Sequence, residues 1–76
     1  MLINWVKCPS VTYGGKDYFY TAETPKGRHW VSWNRQTLVY DITCDKLNYP
    51  LVNTGFKTPQ KAMKWLGDKL NETANL

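Results

Sequence analysis

The feature that most constrains this fold is residues 53–70, NTGFKTPQKAMKWLGDKL, where a helix start signal, a helical period and a stop signal agree. Thr58 is a good N-cap because its hydroxyl can accept from an N–H of the first turn, and Pro59 takes the first helical position, where its missing donor costs nothing. Apolar residues recur every fourth position: Ala62, Leu66 and Leu70. Lysines lie toward the other side: Lys57, Lys61 and Lys64. The sequence predicts one amphipathic helix, with Gly67 as its weak point unless a close contact with the sheet requires a glycine.

The residues before the helix are typical of short strands separated by turns. Residues 2–7 alternate weakly and are followed by Pro9, which cannot donate to a sheet hydrogen bond. Pro9 therefore either ends a first strand or places it at a sheet edge, in which case residues 11–13 resume the strand. Gly14-Gly15 then predicts a tight hairpin turn that tolerates positive φ.

The clearest strand follows this turn, over residues 16–23, KDYFYTAE, which are dense in aromatic and β-favouring side chains. Residues 24–27, TPKG, place Pro and Gly at the second and fourth positions of a type I turn. Residues 28–34, RHWVSWN, return as the partner strand. A further alternating segment, TLVYDIT, predicts another strand at residues 37–43.

The same turn predicts the register of the central hairpin. With a three-residue loop at residues 25–27, Ala22 lies opposite Trp30. Four side chains then form a core layer under the helix: Phe19, Thr21, Val31 and Trp33. The other face carries aromatic rings interleaved with hydroxyls: Tyr18, Tyr20, Trp30 and Ser32.

Together these segments predict a single α+β domain over residues 1–76, with an antiparallel sheet of three to four strands and one C-terminal α-helix packed on one face. The strands lie within residues 2–43 and the helix spans residues 58–70. Between them, residues 44–57 form a loop that contains Tyr49-Pro50 and a brief pairing of residues 51–52. Residues 71–76 are a frayed polar tail.

Length and composition exclude several classes of protein. A chain of 76 residues with four Trp and five Tyr can bury one small core but has little room for an enclosed active site. The first ten residues lack the features of a secretory signal, and no segment approaches the roughly 20 apolar residues that span a bilayer. We therefore expect a cytoplasmic protein that does not interact with membranes.

The residues that could carry chemistry form no mechanistic motif. Cys8 and Cys44 are predicted to be free thiols, and with His29 they supply at most three soft ligands in no recognised zinc spacing. His29 lies beside a hairpin turn, where we expect a partly solvated residue that pairs with Glu23. The sequence therefore predicts a protein that is not an enzyme, with no catalytic residue, no metal site and no cofactor.

Binding is better supported than catalysis. The net charge of +4 is consistent with a polyanionic or acidic partner, and equally with solubility alone. Aromatic rings stack on bases and cations neutralise phosphate, and the predicted sheet surface carries both. The candidate binding residues are Tyr18, Tyr20, Lys26, Arg28, Trp30, Ser32 and Arg35. The same aromatic residues are also consistent with a stabilising cross-strand cluster or with burial against a second subunit.

One segment resembles a known family. Gly55-Phe56-Lys57-Thr58, followed by Ala62 and then Trp65-Leu66, is similar to the G-F-x-T-x-x-x-A segment of the sheet-plus-helix DNA-binding domains of phage and transposon tyrosine recombinases, also called AP2-like or arm-type domains. The resemblance implies that three antiparallel strands enter the major groove while the helix supports them, and that the chain is a small accessory protein of a phage or mobile element. Carried over to this chain, the residues that face DNA are Arg28, Trp30, Ser32 and Arg35.

Two classes of function follow from the sequence. The leading hypothesis is a small non-catalytic module that binds nucleic acid, with DNA favoured over RNA, through a basic aromatic sheet face. The alternative is a protein-interaction module, such as a phage-encoded inhibitor of a host enzyme or defence complex in the host cytoplasm, because Trp, Tyr and Arg dominate protein hot spots. A third hypothesis is a homodimer joined through the aromatic face or an edge strand.

Overall fold

The computed structural model describes residues 3–45 and 52–74 and confirms an α+β fold, an antiparallel sheet with one C-terminal helix packed on one face. Within these residues the sheet has five strands in sequential order. The strands are β1 (Val6–Tyr13), β2 (Lys16–Thr24), β3 (Gly27–Asn34), β4 (Val39–Cys44) and β5 (Asn53–Phe56), and the helix is α1 (Pro59–Ala74).

The helix begins where the sequence predicts and buries the predicted side. The Thr58 hydroxyl accepts a hydrogen bond from the backbone N–H of Lys61 at 3.1 Å, which is the expected N-cap contact. The apolar stripe packs against Val31 and Ile42 of the sheet: Ala62, Leu66 and Leu70. The helix continues to Ala74, so residues 71–74 are helical where the sequence predicts a frayed tail. An i,i+3 ion pair between Lys69 and Glu72 supports this last turn.

The first hairpin agrees with the sequence. Gly14 and Gly15 form the turn with φ of 61° and 77°, and β1 is an edge strand that continues through Pro9. Its register against β2 shifts between Lys7 and Val11, so Pro9 lies at an irregularity where a missing N–H is tolerated. Of the two alternatives for Pro9, the edge position is confirmed.

The predicted register of the β2–β3 hairpin is wrong by one residue. The loop has two residues rather than three, because Thr24 pairs with Gly27 and Ala22 lies opposite His29 instead of Trp30. The Thr24 hydroxyl explains the tighter turn, since it donates to the Gly27 carbonyl at 2.9 Å and accepts from the Lys26 N–H at 3.1 Å. These side-chain bonds satisfy backbone groups that a longer loop would expose.

A β-bulge at Phe19 places two side chains of β2 on the opposite sheet faces from those that the sequence predicts. Tyr18 pairs with Ser32 but Tyr20 pairs with Val31, so Phe19 is an extra residue and the alternation changes sides within β2. Tyr20 therefore packs against the core under α1, and Thr21 lies opposite Trp30 on the other face. The predicted core layer was thus wrong about Thr21, and the predicted outer face was wrong about Tyr20. The other members of that core layer remain on the helix side, where Phe19 and Trp33 both contact the ring of Tyr40.

A fifth strand, β5, lies within the segment that the sequence predicts to be a loop. Its register against β4 sets Phe56 opposite Tyr40 and Asn53 opposite Ile42. Phe56 packs on Trp65 of the helix, with ring centroids 5.8 Å apart, so this short strand leads directly into α1. The rest of the predicted loop at residues 46–51, with Tyr49-Pro50, and the proposed pairing at residue 51 lie outside the described residues.

Candidate binding surface on the sheet

The sheet face that points away from α1 carries a shallow groove of about 500 Å³ with mostly apolar walls. Trp30 lies on this face because it alternates with Val31, which packs under the helix. We call this feature the aromatic groove, and its lining residues are Cys8, Pro9, Tyr13, Tyr18, Trp30, Thr43 and Cys44.

Two local features of the sequence bring the rings of this groove together. The two-glycine turn sets Tyr13 opposite Lys16, so Tyr13 and Tyr18 belong to one face. The bulge at Phe19 then lets Tyr18 point outward while Tyr20 points toward the helix. Tyr13 is 76% exposed, so its ring is available to a ligand at little cost to the core.

A buried polar network borders the groove on β3 and β4. Asp41 is only 5% exposed, and its carboxylate receives hydrogen bonds from Asn34 Nδ2 at 3.3 Å and from the Thr54 hydroxyl. Lys16 Nζ lies 3.4 Å from the same carboxylate and compensates its charge. Ser32, the β3 neighbour of Asp41, is fully buried, and its Oγ has no hydrogen-bond partner among the described residues.

The two predicted arginines of the surface are engaged with carboxylates. Arg28 Nε lies 2.9 Å from Glu23, and Arg28 Nη1 donates to the Thr21 hydroxyl at 2.9 Å. Arg35 binds Asp17 through both Nη2, at 2.9 Å, and Nε, at 3.0 Å. Hydrogen bonds from Arg35, with a smaller one from Thr12, hold the pKa of the Asp17 carboxyl below its usual range. These pairs reduce the positive charge that the sheet presents to a polyanion.

A second depression of about 440 Å³ lies beside β1 and β2, and its lining residues are Lys7, Cys8, Thr12, Asp17, Tyr18, Phe19 and Arg35. Lys7 lies opposite Tyr20, and Asp17 lies opposite Trp33, so these side chains point to the helix side of the sheet. Lys7 is exposed, and within residues 3–45 and 52–74 no carboxylate lies at ion-pair distance from its amine. The second depression is therefore on the face opposite the aromatic groove.

The structure brings together only part of the predicted site. Tyr18 and Trp30 line the aromatic groove, and Arg28 is close enough to Cys8 to affect its thiol. Burial raises the pKa of that thiol and the Arg28 charge lowers it by less.

The other predicted residues lie elsewhere. Ser32 is buried, Lys26 occupies the turn between β2 and β3, and Arg35 belongs to the second depression. Tyr20 packs on the helix side and is not part of the surface.

Sequence reasoning missed Tyr13 as a member of this surface. Tyr13 had a usable signal, because a two-residue turn at Gly14-Gly15 aligns it with Tyr18 on one face. Cys8 and Cys44, which the sequence leaves unrelated, are free thiols that line the same groove.

His29 is in a different environment from the one that the sequence predicts. It is fully buried, and its Nδ1 lies 3.2 Å from both the Thr24 hydroxyl oxygen and the Gly27 carbonyl oxygen. The predicted pairing with Glu23 is wrong, because that carboxylate binds Arg28. Among the residues that the structure describes, no group of three or more His, Cys, Asp or Glu is arranged to hold a metal ion.

Comparisons of the chain with protein-family models, with curated proteins and with solved structures find no match. In the described part of the chain, no helix combines the length and apolar character needed to cross a bilayer.

Proposed function

We propose that this protein is a small non-catalytic module that binds nucleic acid through the sheet face opposite α1. The observation that carries the proposal is the aromatic groove, in which Tyr13, Tyr18 and Trp30 meet on a face that the helix does not cover. Each ring offers a surface on which a base can stack, and base stacking contributes about 1–3 kcal/mol per base.

The charge distribution supports a polyanionic ligand that makes few contacts with cationic side chains. The chain carries a net charge of +4, and Lys16 and Arg28 lie on the groove face. Because these cations already bind Asp41 and Glu23, phosphate would have to compete with those carboxylates for them. Stacking therefore supplies a larger share of the affinity than phosphate contacts do.

The structure of residues 55–62, the segment that resembles arm-type domains, is consistent with the proposed relationship to those domains. Gly55 has a φ of 93°, Thr58 caps α1, and Ala62 is buried against the sheet, as a helix that supports a DNA-binding sheet requires. Origin in a phage or mobile element, with DNA as the preferred nucleic acid, is part of this proposal.

The experiment is a fluorescence-polarisation titration of labelled oligonucleotides with the wild-type protein and with Trp30→Ala. We expect micromolar or tighter binding by the wild type and about a tenfold loss in the variant, which removes one stacking surface. Thermal unfolding of both proteins checks that Trp30→Ala remains folded. Leu38→Ala is the matched control, because Leu38 is exposed in the turn before β4 and lines neither depression. Absence of binding at low salt would contradict the proposal.

A protein partner is the second candidate, and the ion pairs of the sheet favour it. Cations that are already paired, as Arg28 and Lys16 are, around an apolar groove are more typical of a protein interface than of a phosphate-binding surface. If no oligonucleotide binds, affinity capture from lysate would test this candidate. A partner retained by the wild type and by Leu38→Ala but lost with Tyr13→Ala would identify the groove as its docking site.

A further inference from the structure

We infer that the aromatic groove recognises an uncharged planar ring with polar edges, the base of its ligand and not the phosphate, so that a free nucleoside is a sufficient ligand. This inference rests on the proposed function and deepens it, because it names the part of a nucleic acid that the groove contacts. Two features of the groove face support it: its cations are paired with carboxylates, and a buried hydroxyl beside the rings has no partner among the described residues.

The cations of the groove face are already neutralised within the protein. Among the residues that the structure describes, the cationic side chains that the strands place on this face are Lys16 and Arg28. Lys16 Nζ lies 3.4 Å from Asp41, and Arg28 Nε lies 2.9 Å from Glu23. A phosphate would have to displace one of these carboxylates, whereas an uncharged ring leaves both ion pairs intact. The charge of the face therefore matches a neutral ligand.

The walls of the groove suit the flat face of a ring. Tyr13, Tyr18 and Trp30 line it together, and the Tyr13 ring is largely exposed. Aromatic side chains stack on every base because every base has a π-face, and this contact needs no charge on the ligand. The groove volume of about 500 Å³ lies within the range of about 300–1,000 Å³ that is typical of small-molecule sites. A single base with its sugar therefore has a size that the groove accepts.

Ser32 supplies a hydrogen-bonding group next to these rings. Its side chain lies on the groove face because it alternates with Val31, which packs under α1. Tyr18 is its cross-strand partner on β2, and Trp30 lies two residues before it on the same strand and face. The Ser32 side chain is fully buried, and its Oγ has no hydrogen-bond partner among the described residues.

A buried hydroxyl without a partner lowers stability, and a ligand that satisfies it gains affinity. Entry of a ring between Tyr18 and Trp30 brings the polar edge of that ring to the Ser32 hydroxyl, which can donate or accept. A plain aromatic hydrocarbon has no such edge, whereas each nucleobase has several donors and acceptors. The groove therefore selects a base over an apolar ring of similar size.

The test is a titration of the isotope-labelled protein, followed through the NMR chemical shifts of the β1, β2 and β3 amides. The probes are thymidine, adenosine, thymidine monophosphate and deoxyribose, which carries no ring system that can stack. Oligothymidylate is titrated alongside them, so that the proposed function is tested separately. Each titration uses the wild type, Tyr13→Ala, Ser32→Ala and Leu38→Ala.

The variants separate binding from folding. Tyr13→Ala removes an exposed ring, and Ser32→Ala removes a buried hydroxyl without leaving a partner unpaired, so both should keep the wild-type thermal unfolding. Leu38 is exposed and lines neither depression, so Leu38→Ala is the matched control. A purely structural role for Ser32 would leave nucleoside affinity unchanged in its variant.

We expect at least one nucleoside to bind with a dissociation constant of about a millimolar or tighter, and deoxyribose not to bind. Thymidine monophosphate should bind within about threefold of thymidine at low and at physiological salt, because both cations of the face are paired. Tyr13→Ala should weaken nucleoside binding by about tenfold, and Ser32→Ala by about fivefold. Leu38→Ala should match the wild type.

Four outcomes would overturn the inference in whole or in part. Monophosphate binding about tenfold or more tightly than thymidine would show that phosphate is recognised. Nucleoside binding that Tyr13→Ala leaves unchanged would reject the groove as the site, and an unchanged affinity in Ser32→Ala would reject the hydroxyl contact. Oligothymidylate binding without nucleoside binding would reject the inference while leaving the proposed function intact.

The proposed function can also fail by itself. Nucleoside binding without binding of any oligonucleotide would reject the nucleic-acid function and leave the base site standing. Failure of every probe to bind at low salt would reject the inference and the proposed function together.

Discussion

At the scale of single residues, the Asp41 carboxylate joins four consecutive strands. It lies on β4 and contacts Lys16 of β2, Asn34 of β3 and Thr54 of β5. A carboxylate buried to this extent requires such partners, because an unpaired charge in the interior costs several kcal/mol. Asp41 therefore links β2, β3, β4 and β5 on the sheet face that carries the aromatic groove.

Leu38 is the described non-glycine residue with a positive φ, 59°, and it is 64% exposed at the end of the turn before β4. A side chain in this left-handed region is strained by about 1–2 kcal/mol, and the exposed Leu38 side chain gains little from burial. We expect Leu38→Gly to raise the free energy of unfolding by about 0.5–1 kcal/mol, measured by urea denaturation. Leu38→Ala keeps the strain and should show no gain, and equal stability of both variants with the wild type would contradict this account.

At the scale of elements, register shifts in the strands determine which side chains lie on each face of the sheet. The shift at Phe19 separates Tyr18 from Tyr20, and the shift between Lys7 and Val11 brings β1 beside the groove. A third shift, between Tyr40 and Ile42 of β4, lies at the other end of the sheet, where α1 makes most of its contacts. Register shifts therefore occur both where the helix makes most of its contacts and where it makes few.

Gly67 offers a test of how closely α1 is packed. A methyl group at this position would lie 3.9 Å from the Ile3 side chain, which is ordinary van der Waals contact and involves no strand of the sheet. We therefore expect Gly67→Ala to stabilise the protein by about 0.4–1 kcal/mol, because Ala costs less backbone entropy in a helix. The measurement is the midpoint of thermal or urea unfolding. A loss of stability would show that the helix needs the smaller residue at this contact.

At the scale of the whole molecule, α1 covers one sheet face and leaves the aromatic groove on the other face uncovered. The described core is small, and its central members are Val31, Ile42, Ala62, Leu66 and Leu70. Because α1 supplies three of these five, the helix holds the sheet together while leaving the aromatic groove exposed. This separation means that groove variants can be tested without removing core contacts.

Leu66 is fully buried at the centre of the helix–sheet contact. Leu66→Ala should lower the free energy of unfolding by about 2–5 kcal/mol, through lost transfer energy and the cavity that remains. In a chain this short that is a large share of the total stability, so the urea midpoint should fall markedly. Lys61→Ala, on the exposed side of the same helix, should stay within about 0.5 kcal/mol of the wild type. A small effect at Leu66 would mean that the core lies elsewhere.

Local chemistry made the α+β class and the helix start predictable. Thr58, Pro59 and the apolar spacing act within one or two helical turns, and the Gly14-Gly15 turn acts within two residues, so each can be recognised without knowing what surrounds it. Tyr18 and Trp30 line the candidate site as predicted, although the register that assigned them to one face was wrong by one residue, because the bulge at Phe19 returns Tyr18 to that face.

Tertiary structure decided which residues share a face. The one-residue slip at Thr24 and the bulge at Phe19 each change what lies opposite a side chain. The slip follows from side-chain bonds within the turn, whereas the bulge depends on how β2 pairs with β3. Tyr20 consequently packs against the core, while Tyr13 joins the surface. The sequence by itself determined which elements form, because caps and periodicity act locally; only the folded sheet determined the composition of the groove, because register is a property of strands in contact.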